Sequence, residues 1–224
     1  MAVNPNGYLT IAFPNWSRFD SALRNKEFNF EDLNFKCTYA EFLRFARRFR
    51  VAVAHESTLF ERMSETTSSG YHALIRHFLV YSSLELYYIE ALGVERNKFH
   101  ELRLRTSLPE LEALQKKLMK IDSQGAICSF MENEFDKDPD IPKLNIRVIK
   151  NYFAGHGPEN WISLSRALRN SFVHGDLSAS PGKSNAGELP RIAQALTDHI
   201  IKAIRADFNA RLVPYIDDLI ELNY

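Results

Sequence analysis

The amino-acid sequence predicts an all-α protein, an antiparallel bundle of six or more helices. Three observations support this class. Apolar residues recur at helical spacing over long stretches, as Phe42, Phe45 and Phe49 do. Two Ser/Thr-x-x-Glu capping boxes, at Thr38–Glu41 and Ser107–Glu110, mark helix starts because their side chains bind the free backbone N–H groups there. The segments between the apolar stretches are short, which suits helices that pack as antiparallel neighbours.

An irregular N-terminal arm is expected at residues 1–37, packed on the main body of the protein. It is dense in aromatic side chains, and residues 7–13 predict a short strand that ends at Pro14. Residues 38–224 then form one helical domain, since no linker clearly divides them.

The helices of this domain are delimited by polar breaks and glycines. Residues 64–70 are expected to be a polar break, and Gly93 and Gly175 are expected to end the helices before them. The main helices are predicted at about 39–63, 71–92, 108–121, 142–154, 159–174 and 189–212. A weaker helix is predicted at about 125–135, and Pro214 starts or kinks a last one.

Composition excludes several classes of protein. The 224 residues are 45% hydrophobic and 25% charged, as in an average globular domain, and no apolar stretch predicts a membrane span. Lys and Arg number 28, as do Asp and Glu, so bulk charge does not favour nucleic-acid coating. The two cysteines are too few for a disulfide framework, and no targeting pattern begins the chain, so we expect a cytoplasmic protein. The phosphate-loop, dinucleotide and His-Glu-x-x-His motifs are absent, so no cofactor or metal is predicted.

One segment carries chemical information, the predicted helix over 159–174. An apolar stripe that should face the core is formed by Trp161, Leu164, Leu168 and Phe172. Arg169 and His174 lie towards the helix end, where they can flank one groove. A histidine near neutral pKa can move a proton at a reacting oxygen, and an arginine can clamp phosphate oxygens. The segment therefore suits phosphodiester chemistry without a metal.

The residues Arg169-Asn170-Ser171-Phe172-Val173-His174, followed by Gly175, resemble the Arg-polar-x-x-x-His signature of the HEPN superfamily (higher eukaryotes and prokaryotes nucleotide-binding domain). The resemblance implies a helical bundle that forms a homodimer with the two signatures in a shared cleft. It also implies a metal-independent endoribonuclease of a toxin–antitoxin or phage-defence system, which leaves 2′,3′-cyclic phosphate ends. Arg169 and His174 would be the catalytic pair, with Asn170 orienting the imidazole. RNA, a second copy and an antitoxin or regulatory protein are the implied partners.

A second, weaker similarity to HEPN domains lies on an earlier helix. Residues 81–87 carry small side chains around Glu85, a pattern that such domains often have. The similarity implies that Glu85 approaches Arg169 and holds its guanidinium by a charge-assisted hydrogen bond. HEPN toxins often carry a tyrosine two residues after the histidine, where this chain has Asp176, so regulation by modification of that residue is not expected.

Other interpretations of the same residues stay open. An RNA-binding protein with zero net charge needs clustered basic groups, and two clusters are available, Arg44 to Arg50 and Lys143 to Lys150. A solvated helix face with buried aliphatic stems is the favoured interpretation of both clusters. A non-catalytic HEPN-like module that binds RNA, a nucleotide or a protein is the main alternative to the nuclease. A structural helical protein, in which the signature is accidental, is the third.

Overall fold

A computed structural model describes residues 7–58, 60–95, 104–137, 143–173 and 187–215. All regular secondary structure in these ranges is helical, which confirms the predicted all-α class. None of the helices that it describes is both long and apolar enough to cross a bilayer.

The described ranges contain eight α-helices. They are α1 (Trp16–Arg24), α2 (Tyr39–Ala54), α3 (Glu65–Leu86), α4 (Leu108–Ile121), α5 (Ala126–Lys137), α6 (Lys143–Phe153), α7 (Trp161–Val173) and α8 (Glu188–Leu212). A 3₁₀ turn over Gly7–Ile11 precedes α1, a π-helical turn over Tyr87–Ala91 continues α3, and a second 3₁₀ turn over Pro158–Asn160 precedes α7. The predicted last helix after Pro214 lies almost wholly outside the described residues.

The predicted strand over residues 7–13 is wrong. A 3₁₀ turn over Gly7–Ile11 occupies most of this segment, and α1 follows it at Trp16–Arg24. The reason is visible in the burial pattern, because Leu9, Ala12, Phe13 and Trp16 are all fully buried. Their spacing of three and four residues is the helical period, not the alternation of a strand.

The prediction of a polar break at residues 64–70 is also wrong. This segment forms the start of α3. The Ser64 hydroxyl accepts a hydrogen bond from the Thr67 backbone N–H at 3.2 Å, as an N-cap does. The helix then runs through Gly70. The helix before it, α2, ends at Ala54, about nine residues earlier than predicted. Both predicted capping boxes are present, at Thr38 and Ser107.

The protein divides into two compact units. The first comprises the described residues of Met1–His55, Ser82–Arg105 and Ile200–Tyr224, and its core is aromatic. The rings of this core are fully buried: Phe13, Trp16, Phe19, Phe42, Phe45, Phe49 and Phe208. The Phe13 and Phe208 ring centroids lie 4.4 Å apart, which joins the beginning of the chain to α8.

Polar contacts also hold the N-terminal segment in the first unit. Arg47 donates from Nε to the Tyr8 hydroxyl at 3.0 Å, and the Arg50 guanidinium lies 4.9 Å from the centroid of the Tyr8 ring. Arg205 donates from Nε to the Ala12 carbonyl at 2.8 Å. The domain boundary that we predicted between residues 37 and 38 stays a prediction.

The second unit comprises the described residues of Glu56–Tyr81 and Thr106–His199. It contains α4 to α7, with the first part of α3 and of α8. The Gln115 side chain donates from Nε2 to the carbonyls of Tyr152 at 2.9 Å and His156 at 3.1 Å. Because Gln115 is buried on α4, these bonds tie α4 to the end of α6 and to the turn that leads into α7.

Candidate functional site

The helix that carries the signature, α7, packs in the second unit as its apolar stripe predicts. Trp161, Leu164 and Leu168 are buried, each at most 2% exposed, whereas Phe172 at the end of the stripe is half-buried. The Trp161 ring meets the His199 imidazole edge to face, with centroids 4.6 Å apart. Burial of this stripe fixes the rotation of the helix and so determines the face on which Arg169 and Asn170 lie.

Arg169 and Asn170 form a hydrogen-bonded pair near the end of α7. Arg169 donates from Nη1 to Asn170 Oδ1 at 2.9 Å, and both side chains are half-buried. The Arg169 guanidinium carbon lies 5.7 Å from the centroid of the Phe78 ring on α3. A planar guanidinium beside an aromatic ring and an amide oxygen is held in one orientation, and a preorganised cation is suited to binding an anion.

The contacts predicted for the other two site residues, His174 and Glu85, stay predictions. His174 lies outside the described residues, which end at Val173 in this helix, so the contact expected between Asn170 and His174 stays a prediction. Glu85 is half-buried on α3 and belongs to the first unit, whereas Arg169 belongs to the second. The predicted hydrogen bond between Glu85 and Arg169 also stays a prediction.

A buried histidine positions α7 against its neighbours. His77 on α3 is 1% exposed; its Nε2 lies 3.1 Å from the Ser165 carbonyl and its Nδ1 lies 3.2 Å from Thr197 Oγ1 on α8. A carbonyl can only accept, so Nε2 carries the proton and Nδ1 is left as an acceptor. The Thr197 hydroxyl also lies 2.7 Å from the Ala193 carbonyl, so its single proton serves either that carbonyl or Nδ1. The imidazole thus links α3, α7 and α8. Its contact on α7, Ser165, lies four residues before Arg169.

Burial lowers the pKa of His77 to about 4, although the hydrogen bond to the Ser165 carbonyl acts in the opposite direction. Since the unfolded chain protonates this group near 6.5, it binds more protons than the folded chain between these values. The stability that the neutral imidazole supplies is therefore complete above pH 6.5 and is lost as the pH falls towards 4.

We expect this linkage to lower the free energy of unfolding by about 2 kcal/mol between pH 7 and pH 5. Urea denaturation at the two pH values measures it. Other groups titrate in the same range, so the comparison is with His77→Gln, whose amide still donates to the Ser165 carbonyl but does not titrate. A variant as pH-sensitive as the wild type would show that His77 is not the group responsible.

Neither cysteine has the properties of a nucleophile. Burial, together with Glu41 and Glu90, raises the pKa of Cys37 to about 11. Burial raises the pKa of Cys128 to about 12, and the hydrogen bond from its thiol to Glu132 adds to this. Both thiols are therefore protonated at neutral pH, and a thiol is a far weaker nucleophile than a thiolate.

Several side chains of the two basic clusters make contacts within the protein. Arg47 and Arg50 hold Tyr8, as described for the first unit. Lys150 on α6 pairs with Glu132 on α5 at 3.1 Å. The side chain of Lys143 lies outside the described residues. These contacts favour the structural interpretation of both clusters over an RNA-binding one.

Sequence reasoning missed Phe78, which supports the Arg169 guanidinium, and it did not distinguish His77 from the other histidines. No sequence signal marks Phe78, because its contact with Arg169 joins residues far apart in the chain. No group of three or more His, Cys, Asp or Glu side chains that could hold a metal ion occurs among the residues with described positions.

No protein-family model, curated protein or solved structure matches this chain.

Proposed function

We propose that this chain is a metal-independent endoribonuclease of the HEPN type, with Arg169 and His174 as its catalytic pair. The observation that carries the proposal is the paired, half-buried Arg169 and Asn170 near the end of α7, five and four residues before His174 in the sequence. A guanidinium oriented by an amide and an aromatic ring can bind two oxygens of one phosphate. The next ionisable side chain along the chain is then an imidazole, the group best suited to proton transfer at neutral pH.

In this proposal the ribose 2′-oxygen attacks the adjacent phosphorus atom. The 2′-oxygen–phosphorus bond forms, the bond from phosphorus to the 5′-oxygen breaks, and the products are a 2′,3′-cyclic phosphate and a free 5′-hydroxyl. The attacking hydroxyl loses a proton and the leaving 5′-oxygen gains one, so the reaction needs no net proton. His174 moves these protons, and Arg169 offsets the negative charge that develops on the phosphate oxygens.

A homodimer is part of the proposal. Proton removal and proton donation occur at two different oxygens, and two imidazoles serve both oxygens better than one. Two copies of the chain with their signatures in a shared cleft would supply a His174 to each oxygen and two Arg169 guanidinium groups to the phosphate. The setting that the resemblance suggests is a cytoplasmic toxin–antitoxin or phage-defence system, in which an antitoxin or regulatory protein restrains the nuclease.

The decisive experiment is RNA cleavage in EDTA, with the chemistry of the product ends determined. The wild-type protein should cut a mixed single-stranded RNA pool and leave cyclic phosphate ends. His174→Ala should lower the rate about 100-fold to 10,000-fold, the usual range for loss of a general acid or base. His156→Ala is the matched control, because His156 is an exposed histidine outside α7.

The proposal fails if a folded wild-type dimer leaves every RNA intact, or if His174→Ala cleaves as fast as the control. Equal RNA affinity of the wild type and His174→Ala, with no cleavage by either, would instead indicate the non-catalytic binding module. Light scattering on the same samples gives the oligomeric state.

A further inference from the structure

The second unit contains a cleft that the proposed nuclease does not use. It has a volume of about 470 Å³, and its walls come from the first part of α3, the end of α4 and the first turns of α8. We call it the basic cleft. The residues that line it include His72, Lys117, Lys120, Ile121, Arg191 and Ala195. This volume lies within the range of small-molecule sites in proteins.

Three cations meet at the basic cleft. Lys117 and Lys120 are three residues apart on α4, so they share one helix face, and Arg191 reaches the cleft from α8. All three side chains are exposed, and none of them forms an ion pair with a residue that the structure describes. Positive charges that face one space repel one another, and this repulsion favours the binding of an anion between them.

The acidic side chains beside the cleft include Asp122, Glu188 and Asp198. Glu188, the first residue of α8, is buried, and its charge acts on Asp122. Asp122, which follows α4, is buried and accepts hydrogen bonds from the backbone N–H groups of Ile127 at 3.0 Å and Cys128 at 2.8 Å. Asp198 on α8 lies 3.8 Å from Arg76, and its Oδ1 accepts a hydrogen bond at 2.6 Å from Nε2 of Gln194, which lines the cleft. None of the residues that line the cleft is acidic, so its positive charge is not neutralised from within.

The floor of the cleft is apolar. Ala73, Ile121 and Ala195 line it and are buried, while His72 and Ser69 add polar groups at its edge. A cleft with an apolar floor and a cationic rim is complementary to a molecule with an apolar body and several negative charges. Phosphates suit this rim because a guanidinium binds two phosphate oxygens at once and lysines add point charges.

We propose that the basic cleft binds an organic phosphate with two or more phosphate groups, placing its apolar part on the floor and its phosphates against Lys117, Lys120 and Arg191. The cleft is separate from the candidate nuclease site. Ser69 in the cleft and Phe78 beneath Arg169 are nine residues apart on α3, so they lie on roughly opposite sides of that helix. The proposal is therefore independent of the nuclease.

Isothermal titration calorimetry in EDTA tests the proposal on the 224-residue chain. The probes are ATP, adenosine, tripolyphosphate and a single-stranded RNA oligomer. ATP should bind, and it should bind more tightly than adenosine or tripolyphosphate, because only ATP supplies both the apolar body and the phosphates. Lys117→Ala and Arg191→Ala should each weaken ATP binding about tenfold or more, as expected for loss of a charge-assisted hydrogen bond.

Lys116→Ala is the matched control, since Lys116 is the exposed neighbour of Lys117 on α4 but does not line the cleft. The control should bind ATP as the wild type does, and the thermal melting curves should show that all variants fold. No ATP binding by the wild type would overturn the proposal, as would equal losses in Lys116→Ala and Lys117→Ala. Tripolyphosphate binding as tightly as ATP would contradict the role of the apolar floor. RNA binding without ATP binding, weakened by Lys117→Ala and Arg191→Ala but not by Lys116→Ala, would assign the cleft to nucleic acid instead.

Discussion

Arg169→Lys should retain the fold and lose RNA cleavage by about 100-fold or more, and Arg169→Ala should lose about 1,000-fold or more, if the nuclease proposal is correct. Lysine keeps the positive charge but lacks the planar fork that binds two phosphate oxygens, and it replaces the guanidinium that lies 5.7 Å from the Phe78 ring centroid. It also loses the guanidinium geometry that bonds Asn170 Oδ1. The loss should appear in kcat more than in KM, because the charge on the phosphate oxygens grows as the transition state forms.

A single-turnover cleavage assay in EDTA, with thermal melting of each variant, measures this effect. Arg62→Lys is the control, since Arg62 is an exposed arginine in the turn before α3 and forms no ion pair with any residue of the described ranges. Arg169→Lys cleaving at the rate of the control would show that charge alone is sufficient and would remove the catalytic role assigned to the fork.

The second large effect concerns stability and lies in the first unit. Arg211→Met should lower the free energy of unfolding by about 3 kcal/mol. Asp207 on α8 is only 4% exposed, and its Oδ2 accepts from the Tyr87 hydroxyl at 2.5 Å and from Arg211 Nε at 2.8 Å. Arg211 also donates from Nη1 to the carbonyls of Leu33 at 3.0 Å and Asn34 at 3.1 Å. Removing the guanidinium leaves a buried carboxylate without its closest cation.

The tyrosine of this network remains a donor throughout the accessible pH range. Burial raises the pKa of Tyr87 well above its usual value, and the Asp207 carboxylate acts in the same direction. Arg105 approaches Asp207 Oδ1 at 3.7 Å, but its side chain is 61% exposed and water screens it. The Arg211 side chain is only 16% exposed, so Arg211 is the main cation that neutralises the Asp207 carboxylate.

A double-mutant cycle in urea separates the charge from the packing. Asp207→Asn combined with Arg211→Met removes both charges and keeps an acceptor for Tyr87, so the double variant should be more stable than Arg211→Met alone. If the free energy of unfolding of Arg211→Met lies within about 0.5 kcal/mol of the wild-type value, the guanidinium contributes no more to stability than an average surface residue.

The parts of the fold that could be predicted from sequence are those decided by neighbouring residues. The starts of α2 and α4 follow from the capping boxes at Thr38 and Ser107, in which all partners lie within four positions. The same dependence on neighbouring residues explains the wrong prediction of a break at residues 64–70. Ser64 caps α3, but helix starts and loops are rich in the same small polar residues, so the sequence around Ser64 resembles a loop.

The candidate site was predictable only along α7. The position of Arg169 beside Asn170 follows from the chain itself. In contrast, His77 meets Ser165 and Thr197, 88 and 120 residues further along the chain, and the basic cleft joins Lys117 to Arg191. Such pairings depend on how helices pack, and helical periodicity shows which face is apolar without showing which helix covers it.

The aromatic contact between Phe13 and Phe208 has a consequence for how the protein is made. The ring that completes the first unit's core emerges from the ribosome only after α2 to α7 have been synthesised, roughly 10 to 40 seconds after Phe13 at usual rates of translation. Until then Phe13, Trp16 and Phe42 lack their partner on α8, and the nascent chain presents an aromatic surface to chaperones and proteases. The order of synthesis therefore determines when this part of the protein becomes resistant to degradation.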